Sequence, residues 1–474
     1  MAIRLNRRFS VVIAWLLLVG MMMPTMAFAQ ESPVAVDTNA PVTDQMIVYL
    51  NSTASRAATD TLFWRQFSDS AARSGLARGS YKRAVGEHGH VLKLERFVGQ
   101  NEILQLQGAW KNIADVASVE PDVIATISAN PNDPRYSDQW HYFAPGSSGY
   151  YGMNAIGAWD AGARGAGAVV AVLDTGITPH PDLGYVAATG SFNPDKIAGQ
   201  YDFVSDATMA GDGNGRDANA RDEGDGNSAT GTSSSWHGTH VAGTIAAYTN
   251  NGVGVAGVAG DARLLIGRVL GRGGGYSSDI ADAMRWAAQI AVTGVPTAPV
   301  RANVISMSLG GSAPFDGTNF YCPAVYSSVI SAAKLKGTMV VVAAGNSNSE
   351  AQMFTPANCS DAVTVASTGP TGKRAYYSNY GSVVDVASPG GDANYGGSLS
   401  AGRVLSTWYT SPYTIPATNP ELSAGYGNMQ GTSMATPHVA GVAALLYGPP
   451  RRSVVWGLLM PAKRWPMSWL WRLR

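Results

Sequence analysis

Three short segments, met in the order Asp, His, Ser, hold the side chains with which this chain could do chemistry. Asp174 closes the apolar run AVVAVLD and is followed by TGITPHPDL. His237 lies in SSWHGTHVAGTIAA and Ser433 in QGTSMATPHVAGVAALL. Nucleophilic hydrolysis through a serine needs a hydroxyl, a base to take its proton, and a carboxylate to fix the tautomer of that base. An unperturbed imidazole titrates near pH 6.5 (about), which suits His237 for proton transfer at neutral pH. Each residue also has a plainer use. A serine ahead of an Ala- and Val-rich helix can serve only as its cap. His240, three residues beyond His237, suggests half of a metal site, but neither an HExxH pattern nor a cysteine accompanies it, which favours a structural role. Asp182 is a rival to Asp174, farther from the strand end, and His180 and His438 read as packing or hydrogen-bonding residues. Taken together, the motifs point to Ser433 as nucleophile, His237 as base and then acid, and Asp174 as the orienting carboxylate.

The elements that must hold them follow from hydrophobic patterning. Strand-like runs (AGAVVAVLD, RLLIGRVL, ANVISMSLG, GTMVVVAAGN, DAVTVAS, VVDVASPG) alternate with helix-like ones (SDIADAMRWAAQIAV, SSVISAAKLKG). Near-continuous apolar strands alternating with helices predict an α/β fold of three layers with a mostly parallel central sheet. Active sites in such sheets lie at the carboxyl ends of strands, and Asp174 and Asn346 each follow such an end. Ser433 opens a helix, where the N-terminus favours developing negative charge. This domain is expected over 130–448, starting at the linker Asn130-Pro-Asn-Asp-Pro-Arg-Tyr. Upstream, QMIVYL (45–50), a polar helical-looking stretch near 60–84, HVLKLERF (90–97) and DVASVEPDVIATI (115–127) predict a separate unit within 30–129. Its pattern is small α+β: strand, helix, strand, helix, strand.

From about Asn132 to Leu446 the sequence resembles the catalytic domain of the subtilisin-like serine peptidases, in its three motifs and in their chain order. The resemblance implies an endopeptidase that cleaves extended peptide or protein substrates through an acyl-enzyme. It implies a self-processing zymogen, with 30–129 as intramolecular inhibitor and folding aid; VEPD (119–122) resembles the end of such a prodomain. Asn346 would complete an oxyanion hole with the backbone N–H of Ser433, the alternative being a turn cap. Gly273, Gly274 and Gly275, with Ser308, Leu309 and Gly310, would be the two segments that pair with substrate. Ala343, Ala344 and Gly345 would line an open primary pocket that takes large apolar groups. Calcium is the implied cofactor. Asp133, Asp182 and the loop bearing Thr249, Asn251, Val253 and Val255 resemble the family's principal site, with hard oxygen ligands. The stretch GDGNGRDANARDEGDGN (211–227), with Asp212, Asn214, Asp217, Asp222 and Asp225, is a second candidate, only partly spaced as a calcium loop. Its alternative is a solvated insertion. An esterase could use the same triad, but GTSMA is not the GxSxG of α/β-hydrolases.

Of 474 residues only 14% are charged and 55 are glycine. That composition fits a compact, loop-rich globule rather than a disordered or nucleic-acid-binding chain, and a monomer is expected. Residues 1–29 read as a secretory signal: Arg4, Arg7 and Arg8, then an apolar stretch from Val11 to Met23, then Ala27-Phe28-Ala29. That stretch is too short for a bilayer, which takes about 20 residues, and no cysteine near the cleavage point offers a lipid anchor. Export into an oxidising compartment favours a disulfide between the two cysteines, Cys322 and Cys359, over two free thiols. The resemblance stops after Leu446. Residues 449–474 hold four of the twelve tryptophans, four prolines, six basic residues and no acidic one. With no clean period, this tail reads as out-of-frame sequence replacing the elements that close the family's domain. A truncated, catalytically impaired homologue that only binds peptides is therefore the second reading of the chain.

Overall fold

The computed structural model describes residues 41–51, 60–122, 130–395 and 401–447. The expected signal segment and the 449–474 tail lie outside the described residues. The chain divides into two units, 1–123 and 124–474.

The first unit runs β1 (Pro41–Leu50), α1 (Thr61–Arg73), β2 (Gly79–Val85), β3 (Gly89–Gly99), α2 (Gln100–Trp110) and β4 (Val116–Pro121). Its sheet is antiparallel in the order β2-β3-β1-β4. Phe63, Phe67, Ile103, Leu106 and Trp110 of the helices bury against Met46, Val48 and Leu92 of the sheet. The Trp110 indole donates to Phe67 O at 3.0 Å and ties the two helices together. One expectation is corrected. Residues 79–85 lie in a strand, not in the continuing helix expected to 84. They form an edge hairpin with β3, pairing Tyr81 with Leu92 and Val85 with Gly89. An edge strand with most side chains in solvent is polar for the same reason a surface helix is, so its period was masked.

In the second unit the parallel strands are β5 (Val169–Asp174), β6 (Ile197–Asp202), β7 (Arg263–Arg268), β8 (Val304–Met307), β9 (Met339–Ala343), β10 (Val363–Thr368) and β11 (Val386–Pro389). Their order is β11-β10-β9-β8-β5-β7-β6, every neighbour parallel. From β5 the chain passes to the edge strand β6, returns to β7 between the two, then crosses to β8 and proceeds outward on the other side. The order therefore reverses at β5, and the crevice outside the carboxyl ends of β5 and β8 is the natural site. Period-two alternation gives each strand two apolar faces. Val170, Val172, Val304 and Val341 pack with α3 (His237–Ala246) and α6 (Thr432–Tyr447). Val169, Ala171, Leu173, Ile305 and Val342 pack on the other side with α4 (Ser277–Ala287) and α5 (Ala324–Leu335). These are the expected three layers. Beside α3 lies an antiparallel pair, β12 (Val404–Tyr409) with β13 (Ala424–Met429). Cys322 and Cys359 form a disulfide, Cα–Cα 5.1 Å, joining the approach to α5 with the approach to β10. Among the described residues no helix is long and apolar enough to cross a membrane.

Candidate active site

Asp174 is the last residue of β5 and is 1% exposed. Its Oδ1 accepts from the backbone N–H of Thr175 and lies 2.8 Å from His237 Nδ1. That bond puts the proton on Nδ1 and leaves Nε2 as the free base. His237 is the first residue of α3, and Trp236 before it takes a left-handed backbone, φ 47°. Non-glycine residues hold that conformation only where the surroundings impose it. Here the Trp236 indole is buried and donates to Ser411 O at 2.8 Å. Gly238 is needed for close approach, since a Cβ there would meet Gly176 O at 2.2 Å. Burial, the largest single effect, pulls the His237 pKa down. The charge and hydrogen bond of Asp174, with weaker pulls from Asp225 and Asp222, outweigh it and leave the imidazole above its ordinary value.

Ser433 is the second residue of α6, so its N–H is one of the first four in the helix without an intrahelical acceptor. Pro437 sits four residues on and has no N–H to give to the Ser433 carbonyl. The hydroxyl of Ser308 takes that role, donating to Ser433 O at 2.7 Å. Ser433 Oγ donates in turn to Ser308 O at 3.2 Å. Ser308 follows β8, whose Ser306 is level with Val172 of β5. Ser308 therefore stands level with Asp174 one strand away, which brings the serine to the same strand ends as the Asp–His pair. Asn346 follows β9 and is exposed. Its Oδ1 accepts twice from Thr432, from N at 2.8 Å and from Oγ1 at 3.0 Å, so its NH2 is the end left to face outward.

Three other motif histidines, His240, His180 and His438, are tied to backbone carbonyls. His240 Nε2 meets Val404 O and Gly427 O, His180 Nε2 meets Gly425 O, and His438 bonds Met434 O and His141. Burial pushes His240 down to about 3 and His180 and His438 down to about 4, so all three are neutral hydrogen-bonding groups. Gly273 and Gly274 lie in a tight turn closed by the Gly271–Gly274 bridge, with open space above both. Gly275 continues that segment. Leu309 is half-buried and Gly310 exposed beyond β8. Ala343 and Ala344 are buried at the end of β9, and Gly345 follows.

The candidate calcium residues fall into two groups. Asp133 and Asp182 are 3% and 0% exposed. Asp182 accepts from Asn251 Nδ2 (2.8 Å), Val255 N (3.0 Å) and Tyr426 Oη (3.2 Å). Asn251 Oδ1 accepts from Val253 N, and Thr249 Oγ1 bonds within the same loop. The five residues of the 211–227 stretch make two separate sets of hydrogen bonds. Asp212, Asn214 and Asp217 form one string of contacts, with Asp212 also 3.5 Å from the buried Arg268. Asp222 and Asp225 bond to other partners. Asp222 is 2% exposed and accepts from Thr175 Oγ1 (2.6 Å) and Gly224 N (2.9 Å). Burial pushes it up to about 7 against those hydrogen bonds. Asp225 accepts from Ser235 N and Oγ. Among the described residues no three His, Cys, Asp or Glu side chains are grouped as a metal site. Sequence reasoning missed Thr175, Trp236 and Thr432, whose roles depend on partners distant in the chain.

Residues 165–452 match the Subtilase family. The chain is 44% identical over 385 residues to an "Extracellular protease" of Xanthomonas campestris pv. campestris, covering 79% of this chain and 59% of that protein. It is 44% identical over 343 residues to the "Extracellular basic protease" of Dichelobacter nodosus, covering 70% of this chain and 50% of that protein. It thus spans between half and three fifths of the length of these relatives. Among solved structures, a protease from Pseudoalteromonas arctica PAMC 21717 matches with TM-score 0.59 and 48% identity, covering 67% of this chain and 87% of that one.

Proposed function

The chain belongs to the subtilase family of serine peptidases, and from that premise we propose that it is a secreted endopeptidase acting through Asp174, His237 and Ser433. The reading rests on one observation above all: a buried carboxylate bonded to His237 Nδ1 at a strand end level with the serine's anchor, Ser308. With Nδ1–H held by Asp174, the Ser433 hydroxyl turns from Ser308 O toward Nε2, which takes its proton as Oγ attacks the scissile carbonyl. The N–H of Ser433 and the NH2 of Asn346 receive the oxyanion. Collapse passes the proton from Nε2 to the leaving amine, and water reverses the sequence on the acyl-enzyme. An extended substrate would pair with Gly273–Gly275 and Ser308–Gly310, its side chain entering beside Ala343, Ala344 and Gly345. The extracellular names of the two relatives support export, with 1–29 as signal and the first unit as propeptide. The test is labelling with a fluorophosphonate, followed by mapping of the adduct. Modification of Ser433 with parallel loss of casein cleavage is expected; a label on another residue, or none, would reject the assignment.

Calcium fits Asp133 and Asp182. Asp133 Oδ1 is buried without a hydrogen-bond donor. Burial pushes both carboxyls upward, Asp182 to about 6, where the charge of Asp133 adds to the effect. Two buried acids with an unmet lone pair are what a divalent cation relieves. Asn251 and the loop through Thr249, Val253 and Val255 would complete an oxygen shell. The ion would neutralise the pair and brace the loop, with no part in bond cleavage. A ligand at 100 times its Kd adds about 2.7 kcal/mol to stability. Chelation should therefore lower the unfolding temperature of phosphonate-blocked protein by several degrees, and Asp182→Ala should remove that response. Superimposable melting curves with and without chelator would exclude the site.

A further inference from the structure

Asn379 belongs to a segment 33 residues beyond Asn346, in SNYG, and is fully buried. Its Oδ1 accepts from Ser347 N (2.8 Å) and Ser349 N (3.1 Å), and its Nδ2 donates to Ala344 O (2.8 Å). Its own backbone N–H donates to Gly345 O at 2.9 Å. One residue thus holds four residues flanking Asn346, two on each side, and none of these bonds goes to Asn346 itself. Gly345 makes the packing possible: its φ is 101°, and a Cβ there would lie 2.4 Å from Asn379 Nδ2. The Asn346 side chain is pinned separately, through its oxygen, by Thr432. The two restraints are complementary. Thr432 sets which end of the amide faces outward, and Asn379 sets where the peptide carrying that amide stands.

We propose that Asn379 is a positioning residue for the oxyanion donor, acting through the 344–349 loop on Asn346; the proposal rests on the peptidase reading above. A donor serves the transition state only when it meets the oxyanion at about 2.7–3.1 Å. A shift of about 1 Å can cost on the order of 10²-fold. Ground-state substrate, which does not yet carry that charge, is held elsewhere. Loss of Asn379 should therefore lower kcat and spare KM.

The test is a double-mutant cycle in the full chain, with functional sites counted by phosphonate adduct at Ser433. Asn379→Ala removes every side-chain bond, a long one from Ser349 Oγ included, and should lower kcat about 10- to 100-fold, with KM unchanged within about threefold. In an Asn346→Ala background, already slower by on the order of 10²–10³, the same substitution should cost less than about threefold, because its target is gone. Asn379→Asp would set a carboxylate oxygen against Ala344 O in a fully buried site, so the milder second variant is Asn379→Ser, which keeps a small polar side chain without a charge. Thermal unfolding shows which variant keeps the fold, and the same cycle with Asn379→Ser should show a loss that also vanishes without Asn346. An equal loss in both backgrounds, or a rise in KM at constant kcat, would overturn the proposal in favour of a purely structural role. No Ser433 adduct in the parent chain would instead reject the peptidase reading, and this proposal with it.

Discussion

Ser433→Ala should lower kcat on a peptide anilide by on the order of 10⁶, the factor known for the nucleophile of the subtilisin archetype. The attacking oxygen disappears while the rest of the site remains. The N–H at position 433 still lies in the first turn of α6, Asn346 is still oriented by Thr432, and the segments proposed to pair with substrate are untouched. The residue of activity should therefore exceed the uncatalysed rate by about 10³–10⁴. The fold should survive. Ser433 Oγ makes a hydrogen bond of 3.2 Å from a half-buried position, and such a bond contributes about 1 kcal/mol. The carbonyl of Ser433, held by Ser308, needs no side chain at 433. Rates normalised to protein mass, beside a thermal unfolding curve, measure both effects. A loss smaller than about 100-fold would mean that another group performs the attack.

Asp174→Ala should cost about 10⁴ in kcat, and in a manner that depends on the serine. Removal of the carboxylate frees His237 Nδ1, so the imidazole no longer keeps one tautomer, and the imidazolium formed during attack loses its counter-charge. In the Ser433→Ala background the same substitution should cost almost nothing, because a base with no hydroxyl to activate has no task. Equal losses in both backgrounds would assign Asp174 to the fold alone. The pH profile gives an independent sign. His237 must be neutral to act, and its pKa is held above the ordinary value only because Asp174 outweighs the opposing effect of burial. In the parent enzyme kcat/KM should thus rise as pH climbs through a value above 6.5 (about). Without Asp174 burial acts with less opposition, the pKa falls, and the acid limb moves to lower pH. An acid limb that stays in place, or moves up, would contradict that electrostatic account.

By itself the sequence determined the parts whose causes are local. VVAVLD is apolar at every position but the last, which demands a strand covered on both faces and leaves Asp174 at its polar end. WHGTHVAGTIAA and TSMATPHVAGVAALL carry small residues throughout because helices α3 and α6 both lie buried against the sheet. The two cysteines had only each other. What the tertiary structure decided are the relations between segments that no local pattern encodes. The strand at 79–85 exists because β3 supplies its partner; in isolation its polar residues suit a helix equally well. The acidic 211–227 stretch reads as one loop, yet its last two aspartates turn toward Thr175 and Ser235 while the first three stay together, since burial and available donors outweigh proximity in the chain. The Ser433 carbonyl needs Ser308 because Pro437 withholds a proton, the Asn346 side chain is held by Thr432, and the residues on either side of Asn346 are held by Asn379. These bonds span up to 125 residues. Hydrogen-bond donors are satisfied by whatever the fold brings near them, and a sequence shows the donors without showing what the fold brings.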